Sequence, residues 1–339
     1  MRRIAALALS TTVALGLLAG SASSTSRQLR VTFVTDIVTP TKAHDLRAAA
    51  YRGFLRAVRD FHVDGRVVQS NPTKGLGPTI AALGRQQYDL IFTGIPQSDQ
   101  EFQAIGTVAA RFPRSKFVLV DGVVQALRTR PKNVQGSLWR VEQPSYLARY
   151  LAALMEKKRP GTDVIGAVGG ASFPPINALI AGYEAGARKA DPGIRTIHSY
   201  ADNFLDAAKC KSVALSQIAR GSGVEFDIAG TCGLGTLRAA KEKGDWGIGV
   251  DVDQSFLGPH ILTSVLKGAN GQDVYLTVKA FLHGRLKGGG NSVWNLRNGA
   301  VGLGKISPKV PRAFVRQVET IRKQIIAGKI KVPSTLRQQ

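Results

Sequence analysis

Two aspartates, Asp251 and Asp253, close the glycine-punctuated apolar run GIGVDVDQ at residues 247–254. Carboxylates are rarely left at the end of a buried strand without a task. If both lie in one strand, their i, i+2 spacing puts them on one face, where a pair can do acid/base work. Such a pair can also bind a hard cation, yet no third or fourth oxygen ligand is evident nearby. The commoner role at a strand end is to accept hydrogen bonds from ligand hydroxyls or to cap the next segment. Ligand binding is the expectation for Asp251; for Asp253 both roles stay open.

GTCGLG (230–235) follows the strand-like FDIA and opens the helix-like TLRAAKEKG. With Asp251 about 20 residues further on, it mimics a dinucleotide fingerprint. The spacing is G-x-x-G-x-G, however, rather than G-x-G-x-x-G. A tight glycine turn whose helix N-terminal N–H groups face a ligand is the preferred reading. The five histidines, His44, His62, His198, His260 and His283, form no metal-binding pair. His44 is the one near the expected cleft edge, and a surface or capping role is assigned to it. No GxSxG and no Ser/His/Asp set occurs, so no catalytic residue and no cofactor is expected.

These residues sit in a repeating pattern in which a β-rich apolar run ends in Asp, Gly or Asn and a helical segment follows. RVTFVTD (30–36), RVVQSN (66–71), DLIFTG (89–94) and KFVLVDG (116–122) form a first set. QPSYLARYLAALMEKK (143–158) reads as a helix and precedes a second set: DVIGAVGG (163–170), RTIHSYADNF (195–204), FDIAGT (226–231) and GIGVDVD (247–253). Strands alternating with helices predict parallel α/β sheets, and two sets predict two similar lobes. The segment around 122–140 reads as the first crossing between them and ILTSVLKG (261–268) as another. Ligands of open parallel sheets sit at the carboxyl ends of the strands. Those ends carry Asp36, Thr93, Asp121, Gly169, Gly170, Asn203, Phe204, Gly230, Thr231 and Asp251, a set suited to bonding a sugar-like ligand and stacking a ring.

The N-terminus predicts export from the cytoplasm. Arg2 and Arg3 precede an apolar run and then small residues, the layout of a signal peptide over 1–25, cleaved within 20–26. Ser21 stands where bacterial lipoproteins carry a cysteine, so no lipid anchor is expected. The net charge of +23 attracts polyanions, but the Lys and Arg residues are dispersed with no aromatic interleaving, so no nucleic-acid site is assigned. An exported chain meets an oxidising compartment, which leaves Cys210 and Cys232 either as a disulfide or as two buried thiols.

EQPSYLARYLAALMEKK, VGGASFPPINALIAGYEAG, NFLDAAKCKSVA, AGTCGLGTLRAAKEKG and IGVDVDQ, in that order, resemble the basic membrane protein family, whose members are substrate-binding proteins of ABC transporters, several of them for purine nucleosides. The resemblance runs from about residue 30 to 305. It implies a type I periplasmic-binding-protein fold: two doubly wound parallel-sheet lobes, joined by three crossings, that close on a ligand. It implies a signal peptide at 1–25, an N-terminal lobe of 28–138 plus about 266–290, and a C-terminal lobe of 139–265 plus about 291–330. By position, Asp36 and Asp251 would bind ribose hydroxyls, Asp121 would face the base edge, and Phe204 would stack on the base. Gly230 would offer backbone contacts and Lys267 would approach the ribose. The sequence departs from the pattern after VTD, where IVTPTKAHDLRAA replaces a glycine-rich turn and Leu46 stands for the second stacking aromatic. Cys210 and Cys232 replace small residues near consecutive helix starts. Their pairing would close a 22-residue loop, against the usual 8–10 Å between neighbouring helices.

The function expected is therefore an exported, monomeric solute-binding protein that captures a nucleoside-like molecule for an ABC permease and does no chemistry. A sensory receptor on the same fold is the nearest alternative. An enzyme built on the glycine turn and Asp251/Asp253, and an envelope- or nucleic-acid-binding protein, are more distant ones.

Overall fold

The computed structural model describes residues 28–36, 46–71, 75–96, 98–161 and 163–336. The segment read as a signal peptide and His44 lie outside these residues.

The first lobe begins with β1 (Arg30–Thr35), α1 (Leu46–Phe61), β2 (Asp64–Gln69), α2 (Leu76–Arg85), β3 (Leu90–Phe92), α3 (Asp99–Ala110), β4 (Lys116–Val118) and β5 (Val134–Trp139). The second comprises α4 (Glu142–Glu156), β6 (Val164–Gly169), α5 (Pro174–Ala190), β7 (Arg195–Tyr200), α6 (Ala207–Ala219), β8 (Ser222–Ile228), α7 (Gly233–Lys243), β9 (Trp246–Asp251) and β10 (Ile261–Lys267). The chain then returns to the first lobe with α8 (Gln272–Leu282) and β11 (Asn291–Trp294), and to the second with β12 (Val301–Leu303) and α9 (Arg312–Ile326). The two six-stranded sheets run β11-β5-β4-β3-β1-β2 and β12-β10-β9-β8-β6-β7. Only β12 pairs antiparallel among these strands.

Each sheet is covered by helices on both faces, which is why strands such as LIF and VIGAVG read as continuous apolar runs. In the first lobe, Phe33, Phe54 and Phe92 pack with Val274 and Val278 of α8, while Ile80, Ile105 and Phe117 fill the other face. In the second, Leu151, Tyr183 and Phe226 pack with Val318 and Ile321 of α9, and Val168, Cys210, Ala214 and Cys232 lie opposite.

The crossings differ from their sequence reading. NVQGSLW, read inside the first crossing, contains β5, whose Val134 lies opposite Phe117. ILTSVLKG is a strand rather than a crossing: β10 is buried between β9 and β12. Residues 291–294, assigned above to the C-terminal lobe, pair with β5 in the first sheet, Trp294 opposite Trp139. These short or polar strands are specified by their neighbours, not by an alternating pattern of their own.

Each sheet has a point where the strand order reverses. The chain leaves β1 to form β2 on one side and β3 on the other. It leaves β6 to form β7 on one side and β8 on the other. The loops at such a point diverge and open a crevice at the carboxyl ends of the strands.

Candidate functional site

At the reversal point of the first sheet, Asp36 follows β1 and pairs with Arg47 of α1 at 2.8 Å. A cavity of about 280 Å³ opens beside it, lined by Thr35, Ser70, Asn71, Gly94, Ile95 and Glu101 among others. Leu46 begins α1 and is buried. It lies with Trp139 and Asp273 around Gly268, where the chain crosses from β10 to α8.

Asp121, beyond β4, receives the Lys267 ammonium at 2.8 Å, an ion pair between the first sheet's edge and the end of β10. Trp139 lies 5.8 Å from the same nitrogen. Burial pulls the Lys267 pKa down, but the carboxylates of Asp121, Asp251 and Asp273 outweigh it and hold the lysine above its ordinary value. Beneath, the buried Asp273 carboxyl is pushed up to about 7 by desolvation.

Asp251 ends β9 with φ 65°, left-handed backbone that a residue with a side chain seldom adopts. The Val252 N–H donates to the Val250 carbonyl at 2.7 Å across it, closing a three-residue turn. Strain of this kind concentrates where a side chain must be aimed. Asp251 lines a cavity of about 250 Å³ with Asp253, Ser255, Phe256 and Lys305, and with Ala49 and Arg52 of α1, so both lobes contribute to it. Asp253, which shares that cavity, also accepts a hydrogen bond from the Ser255 N–H at 3.1 Å. Asp227, at the end of β8, lies under the glycine turn; desolvation and then the field of Asp251 raise its carboxyl to about 7, with the Ala229 N–H opposing.

Phe204 projects from the loop after β7, and Gly230 (φ 57°) turns the chain beside it after β8. The Cys232 N–H donates to the Phe204 carbonyl at 3.0 Å, and Asn203 Oδ1 accepts from the Leu205 and Asp206 N–H groups. Gly170 allows the ring to sit down on the β6 loop, because a Cβ there would overlap it. Cys210 and Cys232 are joined in a disulfide with Cα atoms 5.5 Å apart. That approach, closer than ordinary helix packing, is made by Gly235, where a Cβ would overlap the Ala207 carbonyl of α6.

The structure thus brings Asp121 together with Lys267, and Phe204 with Gly230, while Asp36 stands with Arg47 at the other reversal point. Sequence reasoning missed Arg47, Trp139, Asp227, Asp273 and Phe173; the last had a signal, a ring placed directly before Pro174-Pro175. Among the described residues, no group of three or more His, Cys, Asp or Glu is placed to hold a metal ion, and no helix is long and apolar enough to cross a membrane.

Two doubly wound α/β lobes, three crossings and polar strand ends around a cleft define a type I periplasmic-binding-protein fold. A solute-binding protein of an ABC transporter from Aeropyrum pernix K1 shares it, with a TM-score of 0.69 at 24% identity over 90% of this chain and 94% of the other. The family model for PnrA-like ABC transporter substrate-binding proteins matches residues 44–336. Basic membrane protein B of Borrelia garinii is 30% identical over 91% of this chain and 89% of its own length. The ABC transporter nucleoside-binding protein BmpA of Lactococcus lactis is 32% identical over 78% of this chain and 77% of its own length. The chain belongs to the Bmp family of ABC transporter substrate-binding proteins, which work outside the cytoplasm and present a small molecule to a membrane permease.

Proposed function

We propose that this chain captures a nucleoside, with purine nucleosides favoured, and delivers it unaltered to its permease. The observation that carries this reading is the arrangement of carboxylates and a ring at the strand ends: Asp36 and Asp121 on the first lobe, Asp251 and Phe204 on the second. An ionised carboxylate accepts two bonds from a ribose diol, and such charge-assisted bonds are the stronger kind. A base stacked on an aromatic face gains about 1–3 kcal/mol. In this reading Asp36 and Asp251 hold ribose hydroxyls and Asp121 meets the base edge. Lys267 approaches the ribose, Gly230 gives backbone contacts, and buried Leu46 bounds the site without stacking. The nucleoside-binding relative from Lactococcus lactis supports the same ligand class.

The lobes in this proposal are 28–139 plus 268–294 and 140–267 plus 295–336, and they close on the ligand by hinge motion at the crossings. In this proposal the chain acts outside the cytoplasm as a monomer. Mass spectrometry of small molecules released on denaturing the purified protein tests the ligand class. A nucleoside at near-equimolar ratio is expected. A different solute at that ratio overturns the reading.

A further inference from the structure

The ring of Phe173 has no structural duty that explains it. It occupies the N-cap of α5 in extended backbone and makes no capping bond. That position ordinarily favours Ser, Thr, Asp or Asn, whose side chains accept from the first free N–H groups. Here Pro174 and Pro175 have no N–H, so Ile176 offers the first donor a cap could serve, and the Phe173 ring cannot accept from it. Nor is the ring core: Phe173 is 40% exposed and Phe204 38%, and neither belongs to a packed cluster of the second lobe.

The two rings instead pack on each other edge to face, with centroids 6.0 Å apart and planes at 67°. They stand on the loops that follow β6 and β7, beside the reversal point of the second sheet. The corresponding cavity of the first sheet is lined, among the described residues, by Val34, Thr35, Asp36, Glu101 and other side chains without a ring. Two aromatic surfaces inclined at 67°, each partly open to water and standing on strand-end loops, form a corner. A flat heteroaromatic group fits it by stacking on one ring and meeting the edge of the other.

We infer that Phe173 is a specificity-determining residue that, with Phe204, forms a two-ring corner on the second lobe that receives one side of the base. This rests on the nucleoside reading above. Phe204 supplies the face and Phe173 the wall at its side. A bicyclic purine reaches both rings, whereas a free pentose reaches neither.

The test is calorimetric titration of the parent chain, Phe173→Ala, Phe173→Leu and Phe173→Tyr with adenosine, guanosine and inosine. Thermal melts serve as the fold control, since an exposed ring leaves them unchanged. Phe173→Ala is expected to weaken purine nucleosides about tenfold, Phe173→Leu to recover only part of that, and Phe173→Tyr to stay within about twofold. Absence of binding by the parent overturns the nucleoside reading and this corner with it. A parent that binds while Phe173→Ala remains within about twofold overturns the corner alone.

Discussion

The two lobes share a topology but hold themselves together differently. The first has an apolar, aromatic interior in which Phe33 packs against Phe54 and Phe92, with Asp273 of α8 a buried acid beside the crossing, and it carries ion pairs at the cleft edge, Asp36 with Arg47 and Asp121 with Lys267. The second inverts this. Its cleft edge carries rings and a glycine turn, while charge is buried in its core. Arg149 of α4 is fully buried, its guanidinium 3.4 Å over the Tyr183 ring, with desolvation lowering its pKa to about 10. Glu225 of β8 is buried beside Gln217, against Gly166. A disulfide then ties the α6 start, which directly follows the loop that carries Phe204, to the α7 start. Under the proposed function, this contrast amounts to a division of labour. Ion pairs at an edge can exchange partners when a polar ligand arrives, whereas a stacking platform works best when it is already rigid.

The largest effect that would sharpen this contrast is pH dependence of the second lobe. Burial raises the Glu225 carboxyl from 4.5 to about 8. Between those values the folded chain keeps a proton that the unfolded chain has released, so unfolding free energy falls as pH rises and levels off above about 8. Glu225→Gln mimics the protonated acid and should remove a part of that fall on the order of 4 kcal/mol, read from denaturant melts between pH 5 and 8.5. Asp227 of the second lobe and Asp273 of the first, each raised to about 7, leave a residual slope of the same sign. An unaltered slope in Glu225→Gln would remove buried charge from the comparison.

Next comes the disulfide. Its loop spans a sequence separation of 22 residues. Opening it with Cys210→Ala/Cys232→Ala should cost about 3 kcal/mol in the chain-entropy account. The Cys232 backbone N–H that holds the Phe204 carbonyl survives in the variant, so nucleoside affinity should fall only insofar as the released α7 start shifts that donor. Thiol labelling of unreduced, denatured protein from an oxidising compartment checks the bond itself; full labelling would contradict it.

Smallest is the single carboxylate. Asp251→Ala should weaken nucleoside binding by about 1.5–3 kcal/mol, the range for hydrogen bonds to charged groups, and leave the melting temperature nearly unchanged. Equal affinity in the variant would show that the strained turn at Asp251 serves the fold and not the ligand.

Much of the fold is legible in the sequence because strands buried on both faces advertise themselves as apolar runs, as VIGAVG and GIGVD do. The strands that escape, NVQGSLW, NSVW and VGL, are short or polar and exist because neighbouring backbone offers them pairing. ILTSVLKG escapes differently: its apolar character is plain, but nothing in it says that the crossing waits until Gly268. At the site, strand-end residues such as Asp36, Asp121 and Asp251 are visible from position alone. Asp273 and Asp227 are not, because what singles them out is burial. Nor is the Arg47 partner of Asp36, whose placement depends on where α1 begins. The approach of Cys210 to Cys232 turns on Gly235, a residue without a side chain whose contribution is the backbone contact it permits.

In the proposed function the cleft binds a nucleoside and performs no reaction on it. Calorimetric titration of the purified chain with purine nucleosides, pyrimidine nucleosides and free pentoses, followed by chromatography of the recovered ligand, tests it most directly. Saturable binding near one equivalent, tightest for a purine nucleoside and with the ligand recovered intact, is the predicted result. No binding across the whole panel, or recovery of the free base and sugar, would contradict it.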